Sequence, residues 1–228
     1  MAQRLIGQGV HEKTVRVIHN WADGSRIHPI NRDQNPLRSE WGLNGKFVVG
    51  YSGNFGRAHD FTTILDAAER LKGNGHIVFL FIGSGAQRGQ LEKETQRREL
   101  QNVRFKPYQP RKRLHLSLSV PDAHLVSLQP SLEGFIVPSK FYGIAAAGRP
   151  TIFIGSSQGE IPRILKEAQC GFSIEVGRVD ELVGIIQNLA AHEELCLCLG
   201  RRARELFDRR FDVGYAMHAW DEVLGRSA

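Results

Sequence analysis

The chain has 228 residues, of which 41% are hydrophobic and 24% charged. This composition is typical of one globular domain with a full core and excludes a disordered chain. The net charge of +6 comes largely from short arginine clusters, which we interpret as solvated helix faces because no nucleic-acid-binding motif accompanies them. The three cysteines lack metal-ligand spacing, and no apolar run approaches the roughly 20 residues that span a bilayer. We therefore expect a soluble, cytoplasmic protein, with peripheral contact to an anionic membrane left open.

Short apolar runs alternate along the chain with amphipathic stretches, a pattern that predicts a parallel sheet covered by helices on both faces. The fold class is thus α/β, with a Rossmann-like, doubly wound parallel sheet. Strands are predicted at residues 15–18, 46–51, 76–82, 103–106, 123–128, 151–154 and 172–175. Helices are predicted at residues 60–72, 86–100, 111–118, 139–147 and 159–168, and from residue 180 to the end. The polar stretch 27–44 is predicted to be a loop.

Sheets of this kind bind ligands at the carboxyl ends of their strands, so the turns after the strands are the candidate sites. Residues 50–57 (GYSGNFGR) follow one strand and precede a helix with Asp60 as its predicted cap. Glycines there allow a ligand close to the backbone, and Arg57 could neutralise a diphosphate. The same glycines also suit a plain turn that needs positive φ angles. Residues 81–86 (FIGSGA) form a second such turn, whose glycine pattern is incomplete as a dinucleotide fingerprint.

The third turn, residues 132–143, contains charged side chains that could bind a ligand. Glu133 could accept hydrogen bonds from sugar hydroxyls, and Lys140 would place a positive charge at a helix start that favours phosphate. The alternatives are an exposed loop acid and a surface lysine. In the fourth turn, residues 155–162, Glu160 could cap the following helix or bind a hydroxyl, and capping is slightly favoured. Together the four turns predict a phosphate-containing ligand along one edge of the sheet.

The order of these segments resembles the C-terminal domain of the large family of retaining glycosyltransferases with the GT-B fold. The segments that carry the resemblance are residues 18–23 (IHNWAD), 49–56 (VGYSGNFG), 81–85 (FIGSG), 102–105 (NVRF), 133–135 (EGF), 138–140 (PSK), 146–150 (AAGRP) and 159–162 (GEIP), with Gly171-Phe172 after them. The resemblance implies a domain that binds a UDP- or GDP-sugar without a prosthetic group or metal ion. It implies catalytic roles for Arg57, Glu133 and Lys140. The implied donor-binding residues are Gly53, Asn54, Phe55, Gly56, Gly83, Ser84, Gly85, Tyr108, Gly134, Phe135, Ile136, Val137, Ser139 and Glu160.

Two departures from the family pattern concern the donor site. The family often has a second glutamate that holds the ribose, and here that place falls on Gly143 or Phe141, depending on the alignment. It also often has an arginine directly after the glycine at Gly53 and a lysine about six residues on. Those places hold Asn54 and His59 or Asp60.

The resemblance also implies a missing partner, the N-terminal domain that holds the acceptor. We expect residues 1–14 to be the remnant of its last helix and the linker, and residues 15–211 to be the nucleotide-sugar-binding domain. Residues 212–228 would be a helix that crosses back, with an exposed apolar face at Tyr215, Met217 and Trp220. The implied function is transfer of a hexose or N-acetylhexosamine to a polysaccharide or lipid-linked acceptor, with this half inactive alone. The alternatives are a non-catalytic nucleotide-binding or interaction module and an epimerase-like enzyme of the same fold.

Overall fold

The computed structural model describes residues 1–225, apart from the side chain of Gln3. Six parallel strands form one sheet in the order β3-β2-β1-β4-β5-β6. The strands are β1 (Phe47–Asn54), β2 (Ile77–Ser84), β3 (Val103–Lys106), β4 (Ala123–Ser127), β5 (Thr151–Ile154) and β6 (Gly171–Ile174). The order reverses between β1 and β4, and a ligand crevice is expected at such a reversal, outside the carboxyl ends of these two strands. The α/β, Rossmann-like prediction is confirmed.

Ten α-helices surround the sheet within the described part of the chain. They are α1 (Ala2–Gly7), α2 (Pro36–Glu40), α3 (Thr62–Arg70), α4 (Arg88–Arg97), α5 (Leu114–Ser119), α6 (Lys140–Ala146), α7 (Glu160–Ala168), α8 (Val179–Ala191), α9 (Glu193–Arg210) and α10 (Val213–Val223). Within residues 1–225, no single helix is long and apolar enough to cross a membrane, and only α8 and α9 together, bent by 102°, meet the length and composition of a span.

Alternate side chains of the strands enter cores on opposite faces of the sheet, as period-2 geometry requires. On one face Val49 and Phe79 pack with Ile64 of α3 and Ile186 of α8. On the other face Val48 and Leu80 pack against Leu37 of α2, while Phe153 packs with Phe207 of α9. The central strands are therefore apolar at nearly every position because helices cover both of their sides.

Two predictions about the first 46 residues are wrong. Residues 15–18 form no strand: Val17 is 59% exposed, and no sheet edge lies beside this segment to supply hydrogen bonds. The stretch 27–44 is not simply a loop, because it contains a 3₁₀ turn (Arg32–Gln34) and α2. Asn35 caps α2 by accepting a hydrogen bond from the Leu37 N–H, and Pro36 occupies its first turn.

The predicted elements after residue 46 are present, with shifts at their ends. The Asp60 carboxylate accepts a hydrogen bond from the Thr63 N–H in the first turn of α3 at 3.1 Å, although the N-cap position itself is occupied by Phe61. The predicted helix at 111–118 is a 3₁₀ turn (Arg111–Arg113) followed by α5. The predicted C-terminal helix is α10, and residues 226–228 of that prediction lie outside the described residues.

Candidate functional site

The glycine turns after β1 and β2 lie side by side at the carboxyl edge of the sheet. Gly53 pairs with Gly83, and Asn54 with Ser84, in the parallel register of the two strands. A Cβ on Gly83 would overlap the Gly53 carbonyl oxygen, and one on Gly85 would lie 2.6 Å from the Phe55 nitrogen. Both residues also have positive φ, so only glycine fits this close approach of two backbones.

A cavity of about 540 Å³ opens beside this edge, where the strand order reverses. Its walls include the Gly53 turn, α5, the start of α6 and the segment around residues 21–27. The predicted donor-site residues that line it are Gly53, Asn54, Ile136, Val137, Ser139 and Lys140. Six of the predicted site residues thus lie together on the wall of one cavity.

Lys140 is the cation that lies against the Gly53 turn. Its ammonium hydrogen-bonds to the Tyr51 hydroxyl and lies 3.8 Å from the centre of the Tyr51 ring. Its Cε would lie 3.6 Å from a Cβ on Gly53, which places the side chain directly beside this turn. No carboxylate within residues 1–225 pairs with it, and desolvation lowers the pKa of Lys140 to about 7. An anion in the cavity would supply the missing negative charge and raise that pKa.

Tyr51 fixes the position of this lysine. The ring is buried among Phe55, Phe61 and Phe81, and its hydroxyl donates to the Asn54 carbonyl at 3.1 Å while it accepts from Lys140. Burial raises the pKa of Tyr51, so the phenol remains a neutral hydrogen-bonding group.

His59 stands where the family often has a lysine, and it is neutral. Its Nδ1 lies 2.6 Å from the Ser127 carbonyl oxygen, which only accepts, so Nδ1 carries the hydrogen. Desolvation, reinforced by the nearby Lys140, lowers the pKa of His59 to about 4. Nε2 is therefore a hydrogen-bond acceptor, and the turn after β1 contributes no cation to the cavity wall from the places where the family has them.

The structure places the other two predicted catalytic residues away from the cavity wall. Arg57 is exposed, is not among the residues that line the cavity, and has no ion pair within the described chain. Glu133 is partly buried, with its carboxylate against the start of α7, where a Cβ on Gly159 would lie 2.6 Å from Oε2. Their catalytic roles stay predictions.

Glu160 does not cap α7. Its Oε1 lies 3.1 Å from His19 Nδ1 and 3.4 Å from the Tyr142 hydroxyl, so the carboxylate ties the segment before the sheet to α7 and α6. The hydrogen bond from His19 lowers the pKa of Glu160. Capping would have required the side chain to turn back toward the N–H groups of the helix start, and His19 holds it elsewhere.

The remaining predicted residues surround the glycine turns. Phe55 is fully buried beneath them, whereas Tyr108 is 55% exposed, with its hydroxyl 3.3 Å from the Ser84 carbonyl. Phe135 is exposed and has the Arg4 guanidinium 3.7 Å above its ring. Gly56, Gly85 and Gly134 are partly buried.

The cavity also has lining residues that the sequence did not indicate. They are Trp21, Ala22, Asp23, Arg26, Ile27, Arg111, Leu114, Leu118 and Pro138. His59 and Gly143, at positions where the sequence departs from the family pattern, also line it. Arg111 belongs to a run of three cations, which a sequence alone does not distinguish from a solvated surface. Among residues 1–225, no three His, Cys, Asp or Glu side chains gather as a metal site would require.

The chain is similar in sequence and in fold to known proteins. The family described as "Glycosyl transferases group 1" matches residues 33–206. The chain belongs to this family. WcaI of Escherichia coli (strain K12), named as a colanic acid biosynthesis glycosyl transferase, is 30% identical over 166 residues, which cover 72% of this chain and 40% of that protein. The chain thus spans about 40% of the length of this curated relative.

Solved structures show the same fold. Anabaena HepE in complex with UDP and glucose superposes with a TM-score of 0.83 at 18% identity, covering 99% of this chain and 61% of that one. The C-terminal domain of the group 1 glycosyl transferase LpcC from Francisella tularensis gives a TM-score of 0.69 at 17% identity, covering 84% of this chain and 99% of that domain. The chain is therefore a glycosyltransferase domain that corresponds to the C-terminal half of a GT-B fold.

Proposed function

We propose that this chain binds the nucleotide-diphosphate sugar for a glycosyltransferase that transfers a hexose or N-acetylhexosamine to a polysaccharide or lipid-linked acceptor. The observation that carries the proposal is Lys140, a cation with no carboxylate partner in the described chain, held beside the Gly53 turn at the reversal of the strand order. A diphosphate there would provide the missing counterion.

The same geometry supports a role in departure of the nucleotide. Negative charge develops on the diphosphate as the bond to the sugar breaks, and a positioned ammonium stabilises that charge. Tyr51 holds the ammonium in place through its hydroxyl and its ring, so little reorganisation is needed during reaction. The catalytic roles of Glu133 and Arg57 rest on the resemblance to the family alone, because neither residue lines the cavity.

Among nucleotides we propose a uridine or guanosine diphosphate, with uridine favoured by the complexes of HepE with UDP and with UDP-glucose. The base would lie along the Gly83–Gly85 turn near Tyr108, whose exposed ring is free to stack. The polysaccharide-type acceptor is proposed from the name of WcaI.

The acceptor domain is proposed to pack on α10. Tyr215, Met217 and Trp220 of this helix are 52%, 53% and 43% exposed, as the sequence predicted. Helical spacing places Met217 and Trp220 on one face with Leu224, which is 59% exposed, whereas Tyr215 lies on another side of the helix. An apolar surface of this kind on a single domain marks an interaction site. Residues 1–14 and 212–228 would then belong to the junction between the two domains.

Peripheral contact with an anionic membrane stays a prediction. Several arginines of the clusters already pair with acids: Arg98 with Asp66 at 2.5 Å, and Arg209 with Glu205 at 3.6 Å. The Arg209 side chain is 73% exposed and fits the interpretation of a solvated helix face, whereas Arg98 is 15% exposed and joins α4 to α3.

Calorimetric titration of the chain with UDP, GDP, ADP and uridine tests the proposal. We expect weak binding of UDP or GDP and much weaker binding of uridine, because the diphosphate contributes the interaction with Lys140. A parallel assay with UDP-sugars and a lipid-linked acceptor is expected to show no transfer. Absence of binding by all three diphosphates would favour a non-catalytic module, and transfer by this chain alone would contradict its being half of the enzyme.

A further inference from the structure

Three adjacent cations lie on the 3₁₀ turn between β3 and α5, and the structure separates their roles. Arg113 donates a hydrogen bond to Glu40 Oε2 at 2.6 Å, which makes it part of a surface ion pair. Lys112 is exposed and does not line the cavity. Arg111 does line the cavity, and no carboxylate within residues 1–225 pairs with it.

Among the described residues, Arg111 and Lys140 are the charged side chains of the cavity wall that have no counterion. Four charged side chains line it, namely Asp23, Arg26, Arg111 and Lys140. Asp23 and Arg26 neutralise each other through an ion pair of 3.0 Å. The surplus is therefore two cations that come from different elements, Arg111 from the turn before α5 and Lys140 from the first residue of α6.

Lys140 by itself would bind a diphosphate weakly. Its pKa of about 7 leaves the ammonium only partly charged at neutral pH in the free protein. A guanidinium stays charged and presents paired N–H groups that match phosphate oxygens. Arg57, the cation that the sequence indicated for this task, is not on the cavity wall.

We propose that Arg111 is a second donor-binding residue, which closes on the diphosphate of the nucleotide sugar from the side of α5 while Lys140 holds it at the Gly53 turn. This inference rests on the proposed function. Arg111 is exposed in the free protein, so it is free to move onto the bound diphosphate. Its guanidinium takes the place of the cations that the turn after β1 lacks at Asn54 and His59.

The neighbouring cations provide matched controls. Arg111→Ala, Lys112→Ala and Arg113→Ala each remove one positive charge from the same turn, so they change the net charge of the protein equally. UDP, UMP and uridine are titrated into each variant by calorimetry, and thermal melts establish that each variant is folded. Arg111→Lys retains the charge and removes the paired geometry.

Arg111→Ala is expected to weaken UDP binding about 10- to 100-fold, the usual loss for one hydrogen bond to a charged group, with uridine binding unchanged. Arg111→Lys should lose less, and the two control variants should stay within about 2-fold because exposed charges contribute little. Equal UDP affinity in Arg111→Ala and the unmodified chain would overturn this inference and leave the proposed function standing. Equal losses for UDP and uridine would also overturn it. Failure of the unmodified chain to bind UDP, GDP or ADP would overturn both.

Discussion

Arg38 at the amino end of the sheet and Lys140 at its carboxyl end are both at least partly buried, but they differ in their partners. At the amino end Arg38 is 3% exposed, and its NH1 lies 3.2 Å from both Asp122 oxygens. It also donates to the carbonyls of Val120, Leu43 and Lys46. Asp122 in turn accepts from the Val48 N–H at 2.7 Å, so both members of this ion pair have partners in the chain.

At the carboxyl end the ammonium of Lys140 contacts the hydroxyl and the ring of Tyr51, and no carboxylate within residues 1–225 pairs with it. A cation with all its partners in the chain fixes the amino ends of β1 and β4. Lys140 lies beside the cavity with no carboxylate partner among residues 1–225, and we propose that its charge is kept for a ligand.

Removal of Arg38 should have the largest effect on stability. Arg38→Met leaves Asp122 buried without its counterion, and such a loss costs about 3–5 kcal/mol in free energy of unfolding. Urea unfolding followed by circular dichroism measures the loss. Addition of Asp122→Asn to this variant should restore part of the stability, since the buried charge is then removed. An Arg38→Met protein that unfolds at the same urea concentration would show that the amino end is not held by this pair.

The glycine turns provide the next comparison. Gly85→Ala places a Cβ 2.6 Å from the Phe55 nitrogen at a positive φ, which should cost about 1–3 kcal/mol of stability and weaken UDP binding. Gly89→Ala is the matched control, because a Cβ there meets nothing within 4 Å and the residue is exposed in α4. That change should stabilise the protein by about 0.4–1 kcal/mol. Similar melting temperatures and UDP affinities in the two variants would contradict a close-packed glycine turn.

A change of one pH unit should alter the free energy of UDP binding by less than Arg38→Met alters the free energy of unfolding. Because burial lowers the pKa of Lys140 to about 7, the ammonium loses its proton above that pH, and binding of a diphosphate must then take up a proton. UDP affinity should therefore fall above pH 7, approaching about 10-fold per pH unit. His59 stays neutral throughout this range because its pKa is about 4. Titration between pH 6.5 and 9 in buffers of different ionisation enthalpy reports both the affinity and the proton uptake, and a flat profile would contradict the role of Lys140.

The strand pattern and the glycine turns could be predicted from the sequence because both are local. β3 and β5 have the predicted bounds. β5 is a short apolar run that is buried at every residue, whereas β3 alternates apolar and charged residues and lies half-buried at the edge of the sheet. The pairing of Gly53 with Gly83 follows once the sheet is parallel. The prediction of a strand at residues 15–18 was wrong because an apolar run forms a strand only where it can pair with the edge of a sheet.

Long-range pairing limited the prediction of the site. The sequence could not show that Arg113 pairs with Glu40, 73 residues away, while no carboxylate within residues 1–225 pairs with Arg111. Nor could it show that His19 holds the Glu160 carboxylate away from the free N–H groups at the start of α7. Which charges are cancelled depends on contacts between distant segments, and the remaining charge defines the site.

The most direct test of the central claim is calorimetric titration of UDP into Lys140→Met, with Lys166→Met, an exposed lysine of α7, as the control. The claim predicts that Lys140→Met loses most of its UDP affinity, about 10-fold or more, while its stability is unchanged or higher because a poorly solvated ammonium is gone. Lys166→Met should bind UDP as the unmodified chain does. A Lys140→Met protein that keeps full UDP affinity, or that loses stability as Arg38→Met does, would contradict the claim that this cation is kept for a ligand.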